Sequence, residues 1–222
     1  MMEEDKFLRD AAADLRYLLS RGYPKEASIT LVGNRYNLPR EGREILRRGV
    51  FSPRVASSRK NKLLFPWEVK GRRLAVDGYN VLITVESALK GKVVLLSDDG
   101  LMRDISGVSG AHRWGEETER AWEMIVEELK ELGPQEVQFY FDSPISRSGL
   151  LAKKMEELLR EKGVEGGAQA VRIPEREIIP FEGVVVSSDG AIVDQVKEVF
   201  DLAGHLIRER IKAPYIDLLS MA

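Results

Sequence analysis

The segment Arg72–Thr84, RRLAVDGYNVLIT, decides the fold that this 222-residue sequence predicts. Its small and apolar residues lead into Asp77, and Gly78 follows directly. Such a run predicts a buried strand, and Gly78 would let the backbone turn tightly at its end. A carboxylate in that position is costly to bury unless it is paired or holds a metal ion. The segment therefore predicts a strand that ends in a functional carboxylate.

The same pattern recurs twice further along the chain. The stretch QFYFD ends at Asp142, and VVVSSD ends at Asp189. Ligands of open α/β sheets bind beyond the carboxyl ends of the strands, and neighbouring strands lie about 4.8 Å apart. We therefore expect Asp77, Asp142 and Asp189 to converge at one sheet edge and to bind Mg²⁺ or Mn²⁺, which prefer hard oxygen ligands. A cap at the start of the following helix is the alternative role for each aspartate.

Strand and helix patterns alternate along residues 66–222. Strands are predicted at RRLAVD, EVQFYFD, AQAVRI and GVVVSSD, and helices at GEETERAWEMIVEELKELG, GLLAKKMEELLREKG and AIVDQVKEVFDLAGHLIRER. This order predicts an α/β domain of three layers with a mainly parallel central sheet. The sequence Asp98-Asp99-Gly100 between apolar stretches predicts an inserted hairpin.

Residues 1–65 differ from the rest in pattern and in charge. Helical spacing predicts a small all-helical module, with a break at Gly33-Asn34 and a basic linker, SPRVASSRKNK, after the third helix. The module holds 14 Lys and Arg against 8 Asp and Glu, a net charge of +6, whereas residues 66–222 carry −8. A basic module joined to an acidic domain favours a nucleic acid or another anionic partner, and an ordinary uneven surface is the alternative.

Composition excludes several classes of protein. The sequence has no cysteine, which excludes disulfides, thiolate chemistry and zinc–thiolate sites. Its longest apolar runs are about six residues, whereas a membrane span needs roughly 20. The first residues, MMEEDKFLRD, lack the apolar core of a signal peptide. We therefore expect a cytoplasmic protein that does not associate with membranes.

The strand-end motifs resemble those of a known family. The stretch VDGYNVL looks like the first motif of the NYN branch of the PIN-like nuclease superfamily, and YFDSPISRSG and VVVSSDGAIVDQ are similar to its later motifs. The resemblance covers about residues 72–205. It implies a PIN-like α/β fold, an acidic pocket for Mg²⁺ or Mn²⁺, and RNA cleavage. The N-terminal helical module resembles a segment of an uncharacterised archaeal family, which implies no function.

Enzymes of this superfamily usually carry another acidic residue on a helix between the first and last motifs. The candidates here are Asp104 on the predicted hairpin and Glu116 and Glu119 on the next helix. We include Asp104 as the fourth catalytic candidate after the three strand-end aspartates. An incomplete cluster would bind metal without efficient hydrolysis.

Two groups of residues near these motifs are candidates for substrate binding. Asn80 is suited to orient the neighbouring aspartate or to contact a phosphate, and a turn-forming role is the alternative. Ser146, Arg147 and Ser148 precede a predicted helix, whose N-terminus favours an anion. An ordinary capped loop is the alternative for these three residues.

In the basic module, Arg47 and Arg48 are the candidates for phosphate contacts, against the alternative of a solvated helix face. The leading hypothesis is thus a metal-dependent ribonuclease whose basic module binds RNA. The second is a non-catalytic protein that binds RNA or DNA and has a degenerate acidic pocket. The third is a protein-interaction module that uses the helical segment. The sequence is also compatible with a homodimer.

Overall fold

The computed structural model describes residues 3–106, 115–143 and 148–221, and the chain divides into two compact units. The first unit comprises Met1–Asn61, Val93–Ile105 and Pro214–Ala222. The second unit comprises Lys62–Lys92 and Ser106–Ala213. Each unit has its own hydrophobic core.

The helices are α1 (Glu3–Ser20), α2 (Lys25–Arg35), α3 (Arg40–Gly49), α4 (Pro53–Lys60), α5 (Gly78–Leu89), α6 (Glu116–Leu132), α7 (Ser148–Lys162), α8 (Glu175–Ile178), α9 (Gly190–Val193) and α10 (Leu202–Leu206). The strands are β1 (Arg73–Asp77), β2 (Val94–Leu96), β3 (Met102–Asp104), β4 (Glu136–Asp142), β5 (Gly166–Val171), β6 (Val184–Val186) and β7 (Ile216–Asp217). A 3₁₀ turn covers Pro66–Glu68, and a π-helical turn covers Ile207–Ile211. None of the helices within the described ranges is long and apolar enough to cross a membrane.

The first unit combines helices α1–α4 with a three-stranded sheet. The predicted hairpin is present, because β2 pairs antiparallel with β3, and β7 adds to β2 in parallel. Leu15 and Leu46 of the helices pack in one core with Leu95 of β2 and with Leu218, which follows β7. All four side chains are fully buried. The small sheet therefore completes the core of the helices.

This arrangement differs from the predicted all-helical module of residues 1–65. The segments Val93–Ile105 and Pro214–Ala222 belong to the first unit, although the sequence places them in the second domain. The physical reason is burial. Strands of two or three residues cannot form a core of their own, and the apolar side chains of this sheet are covered by the helices.

Helix α2 continues through Gly33-Asn34, where the sequence predicts a break, and ends at Arg35. A Cβ atom at Gly33 would lie 2.4 Å from Nη1 of Arg43, which belongs to α3. Glycine at this position therefore allows the Arg43 guanidinium to lie against α2, rather than ending the helix.

The predicted basic linker also forms a helix, α4. Pro53 occupies its first turn, and the Ser52 hydroxyl accepts a hydrogen bond from the Val55 amide at 3.4 Å. Proline at the start of a helix and a serine cap are a standard initiation signal. The polar composition of this segment hid that signal.

The second unit is built on a four-stranded parallel sheet in the order β5-β4-β1-β6. This confirms the predicted α/β class with a parallel central sheet. The central strand β1 places Asp77 opposite Tyr140 of β4 and Val76 opposite Val186 of β6. Two single bridges extend the pairing beyond β6: Val199 pairs in parallel with Val185 and with Leu63.

Helix α5 starts directly against the sheet. A Cβ atom at Gly78 would lie 2.1 Å from the ring of Phe141 in β4, so only glycine fits. Phe141 also contacts Trp122 of α6 edge-on, with ring centroids 5.7 Å apart. Gly78 therefore serves close packing at the end of β1, where the sequence predicts a tight turn.

The helix predicted over residues 191–210 is wrong, since the structure has two short helices separated by residues 194–201. Val199 lies in this gap and is fully buried by its two bridges. The Asp201 carboxylate then accepts a hydrogen bond from the Gly204 amide at 2.9 Å and caps α10. Burial of an extended, β-branched residue and a new cap outweigh the helical pattern.

If Leu218 belongs to the core of the first unit, Leu218→Ala should lower the free energy of unfolding by about 2 to 4 kcal/mol, because it leaves a cavity among packed leucines. Denaturant unfolding measures this loss. The control is Tyr215→Ala, which truncates an exposed side chain in the same segment. Hydrogen exchange should locate the lost protection in helices α1–α3, and a loss confined to the second unit would contradict the assignment.

Candidate active site

The candidate site lies at the carboxyl edge of the parallel sheet, where the strand order reverses. The chain passes from β1 to β4 and β5 on one side of β1, and β6 then occupies the other side. Such a switch point opens a crevice beyond the strand ends, and ligands of α/β sheets bind there. Asp77 ends β1, and Asp189 follows β6 by three residues. The two aspartates therefore lie on either side of this switch point.

Ser187 links the two aspartates. Its hydroxyl donates a hydrogen bond to Oδ2 of Asp77 at 2.9 Å and accepts one from the backbone amide of Asp189 at 3.1 Å. The Asp189 carboxylate in turn accepts a hydrogen bond from the Ala191 amide at 2.6 Å. Asp189 thus caps α9, which is the alternative role for this residue. Its charge also raises the pKa of Asp77.

Asn80 joins the same two strand ends from the first turn of α5. Its Oδ1 atom accepts hydrogen bonds from the backbone amide of Ser188 at 2.8 Å and from the Ser188 hydroxyl at 3.0 Å. The side-chain oxygen is therefore used to fix the backbone after β6. This supports a positioning role for Asn80, and its amide nitrogen remains a possible donor to a ligand.

The electrostatics of Asp77 set this site apart. Burial raises the pKa of the Asp77 carboxyl to about 7, and the negative charges of Asp189 and Glu175 act in the same direction. The hydrogen bond from Ser187 opposes them. Ordinary surface carboxyl groups have pKa values near 4. A carboxyl whose pKa lies near neutrality is typical of functional sites.

Glu175 is the acidic residue that the sequence analysis missed. It begins α8, and its charge raises the pKa of Asp142 as well as that of Asp77, in each case after the larger effect of burial. Glu175 therefore lies close enough to the carboxyl groups of Asp77 and Asp142 to raise the pKa of each. The sequence signal was weak: Pro174 and Glu175 follow a predicted strand, as at a helix start, but no aspartate ends that strand.

Asp142 lies at the end of β4, on the same edge of the same sheet as Asp77. The three strands therefore end at one edge of the sheet, and the convergence of Asp77, Asp142 and Asp189 on one cation stays a prediction. The register nevertheless sets Asp142 two residues beyond Tyr140, which is the partner of Asp77. Within the described residues, no three Asp, Glu or His side chains are grouped so as to hold a metal ion together.

The residues present fit only one kind of metal site. Among the residues that the structure describes, no three carboxylates form a dry cage. Mg²⁺, however, keeps several of its waters and is commonly held by one or two carboxylates. Asp77 and Asp189, with hard oxygen atoms and mutual charge repulsion that a cation would relieve, match that requirement.

The remaining predicted site residues have different outcomes. Ser146 and Arg147 lie outside the described residues. Ser148 starts α7, and its hydroxyl donates a hydrogen bond to the carbonyl oxygen of Ser143 at 3.2 Å, as in an ordinary loop. Asp104 lies on β3 in the first unit, not on the sheet that carries the strand-end aspartates.

The two arginines proposed for phosphate contacts differ from each other. The Arg47 guanidinium is paired with the carboxylates of Glu26, at 2.8 Å, and Glu44. The hydrogen bond with Glu26 raises the pKa of Arg47. Arg48 is partly exposed, and no such pair is found for it among the described residues. Arg48 is therefore a better candidate than Arg47 for contacts to phosphate groups.

The fold and the site define the second unit as a parallel α/β domain with acidic residues at a topological switch point of its sheet. Residues 66–205 match the family model described as a domain of unknown function, DUF5616, and residues 7–62 match the one described as a protein of unknown function, DUF434. The chain belongs to the DUF5616 family, and the DUF434 match precedes it.

A relative matches nearly the whole chain. The uncharacterized protein MJ0935 of Methanocaldococcus jannaschii is 34% identical over 202 residues, which cover 90% of this chain and 96% of the relative. No solved structure matches the chain.

The raised pKa of Asp77 predicts a pH-dependent stability. An unfolded aspartate ionises near pH 3.9, so the folded state loses stability as the pH rises from about 4 to 7. Asp77→Asn removes this penalty. We expect the variant and the wild type to have similar stabilities near pH 4, and the variant to be more stable by about 4 kcal/mol at pH 8.

Denaturant unfolding at pH 4, 6 and 8 measures this difference. Glu165→Gln, which neutralises an exposed carboxylate at the opposite edge of the same sheet, is the control and should show no such trend. A difference between Asp77→Asn and wild type that is independent of pH would mean that Asp77 titrates as an ordinary aspartate.

Proposed function

We propose that the protein is a metal-dependent ribonuclease of the PIN-like type, and that Mg²⁺ or Mn²⁺ is its cofactor. The observation that carries this proposal is the carboxyl of Asp77, whose pKa is raised to about 7 beside Asp189 at the switch point. The resemblance of VDGYNVL to the first NYN motif supports the same reading. A cytoplasmic location is part of this proposal, because it suits an RNA substrate.

In this proposal Asp77 and Asp189 hold the cation. A bound divalent cation supplies an activated water and stabilises the leaving oxygen of a phosphodiester. Ser187 keeps the two carboxylates in place through the hydrogen bonds at 2.9 and 3.1 Å. Asn80 fixes the backbone between Ser187 and Asp189, so that the site is preorganised before any ligand arrives.

Asp142 and Glu175 extend the negative charge of the crevice. After the larger effect of burial, the charge of Glu175 raises the pKa of Asp142 and that of Asp77. We assign them to the outer part of the site, where carboxylates orient water and raise the affinity for the cation. Asp104, Glu116 and Glu119 are not needed for this assignment, since Glu175 supplies the further acidic residue.

The first unit is proposed to contribute electrostatic affinity for RNA. Arg48, Arg40, Arg54 and Lys60 lie on helices α3 and α4 with partly or fully exposed side chains. Contacts of this kind to phosphates make binding salt-dependent. DNA would satisfy the same phosphate contacts, so this unit alone does not distinguish the two polymers.

A non-catalytic protein that binds nucleic acid is the second candidate. The observation in its favour is that the described residues hold no group of three metal-binding side chains. In that case the acidic crevice would be a remnant, and binding would depend on the basic unit alone.

The test is cleavage of single-stranded RNA with Mn²⁺ or Mg²⁺, with and without chelator. Asp77→Asn keeps the size of the side chain but loses the charge that holds a hard cation, so cleavage should fall more than about 100-fold. Glu175→Gln should lower cleavage about 10-fold, as expected for an outer residue. Glu165→Gln should cleave like the wild type.

Two results would decide against the nuclease. Equal cleavage by wild type and Asp77→Asn would show that another site, or a contaminant, is responsible. Salt-dependent RNA binding with no cleavage of any tested substrate would favour the second candidate.

A further inference from the structure

Two large aromatic side chains stand exposed on the second unit. Phe65 and Trp67 are 59% and 71% exposed, and their rings stack with centroids 4.6 Å apart and planes inclined by 6°. Exposed aromatic surface costs free energy at roughly 25 cal/mol per Å². Exposing these two rings to water therefore costs free energy, and no other described residue covers their exposed faces.

The segment that carries the two rings is held in a fixed conformation. Pro66 begins the 3₁₀ turn, and the carboxylate of Glu68 accepts a hydrogen bond from the Phe65 amide at 2.8 Å. The Glu68 amide donates back to the Phe65 carbonyl at 3.0 Å. On the other side, Val69 is fully buried. The rings are thus preorganised, and a ligand that stacks on them pays little ordering entropy.

The strand register places this pair toward the edge that carries the candidate active site. Leu63 is level with Val185 of β6, because both pair in parallel with Val199. Phe65 continues in an extended conformation two residues beyond Leu63, as Ser187 lies two residues beyond Val185. Two strand spacings, roughly 10 Å, separate these two positions across the sheet.

We propose that Phe65 and Trp67 form a stacking platform for a base of single-stranded RNA that enters the candidate active site. The proposal rests on the nuclease assignment for its ligand, but not on cleavage. A distance of roughly 10 Å corresponds to about three nucleotides at the roughly 3.4 Å spacing of a stacked strand. The platform would hold the strand beside the crevice, while the acidic residues act on a neighbouring phosphodiester.

The surroundings of the pair favour a base over an apolar protein partner. The apolar neighbours Leu63, Leu64 and Pro66 are partly buried, and Lys62, Glu68 and Lys70 border the segment, so its exposed apolar surface consists mainly of the two rings. That is far less than the roughly 800 Å² per partner of a stable protein interface. The Lys62 ammonium donates to the carbonyl oxygens of Val193 and Asp194, at 2.7 and 3.0 Å. Flat rings suit stacking, since every base has a π face.

The test measures binding of two 12-mers in the presence of chelator: single-stranded RNA, and an abasic oligonucleotide of equal length and charge. Trp67→Leu keeps apolar bulk but removes the aromatic face, so RNA affinity should fall about tenfold. Affinity for the abasic strand should not change. Trp67→Phe should restore most of the RNA affinity, and Leu150→Ala, at another exposed apolar position of the second unit, should bind as the wild type does.

Trp67 also reports directly. The fluorescence difference between wild type and Trp67→Phe isolates its emission from those of the other two tryptophans, and RNA should quench this emission while the abasic strand does not. Circular dichroism of Trp67→Leu confirms that the variant is folded. Unchanged RNA affinity in folded Trp67→Leu, equal loss of affinity for both strands, or no binding of RNA at all would each overturn the proposal.

The outcome is separable from that of the nuclease assay. Binding through Trp67 without cleavage would uphold the platform and reject the ribonuclease. Cleavage that Trp67→Leu leaves unaffected, together with unchanged RNA affinity, would do the reverse.

Discussion

The hydroxyl group of Ser187 joins the ends of two strands on which the whole candidate site depends. It donates to Asp77 and accepts from the amide of Asp189, across 110 residues of sequence in the first case. Because β1 and β6 become neighbours only when the sheet is complete, the site cannot form from a local segment. The same geometry brings like charges together. The folded domain therefore carries a cost at Asp77, whose pKa is raised first by burial and then by the charges of Asp189 and Glu175.

Much of the fold could be predicted because the strands of the parallel sheet are short, apolar runs that local patterns identify. Apart from helix α4, whose start signal is local, the errors share one cause, which is tertiary packing. Val199 is extended in the structure because its bridges bury it, although its segment has helical spacing. Gly33 lies inside helix α2, and the residue there is glycine because a side chain would collide with the Arg43 guanidinium. The hairpin and the C-terminal segment join the first unit through Leu95 and Leu218, and no local pattern announces that contact.

The site was predictable to the extent that strand ends are. Asp77, Asp142 and Asp189 could be placed at one edge, because parallel strands share their direction. Glu175 could not, since it begins a four-residue helix and reaches the site only through the position of that helix. Arg47 shows a different limit of the sequence. Its guanidinium is paired with the carboxylates of Glu26 and Glu44, and a count of charges cannot identify such partners. Sequence thus locates the edge of the sheet, and packing decides which charges remain available there.

The most direct test of this account is the titration of the Asp77 carboxyl by ¹³C NMR, with and without Mg²⁺. The account predicts an apparent pKa near 7 in the metal-free protein, assigned by the loss of the signal in Asp77→Asn. Saturating Mg²⁺ should lower that pKa by about 2 units or more, because a cation favours the charged form. An Asp77 carboxyl that titrates near 4 and does not respond to Mg²⁺ would contradict the account.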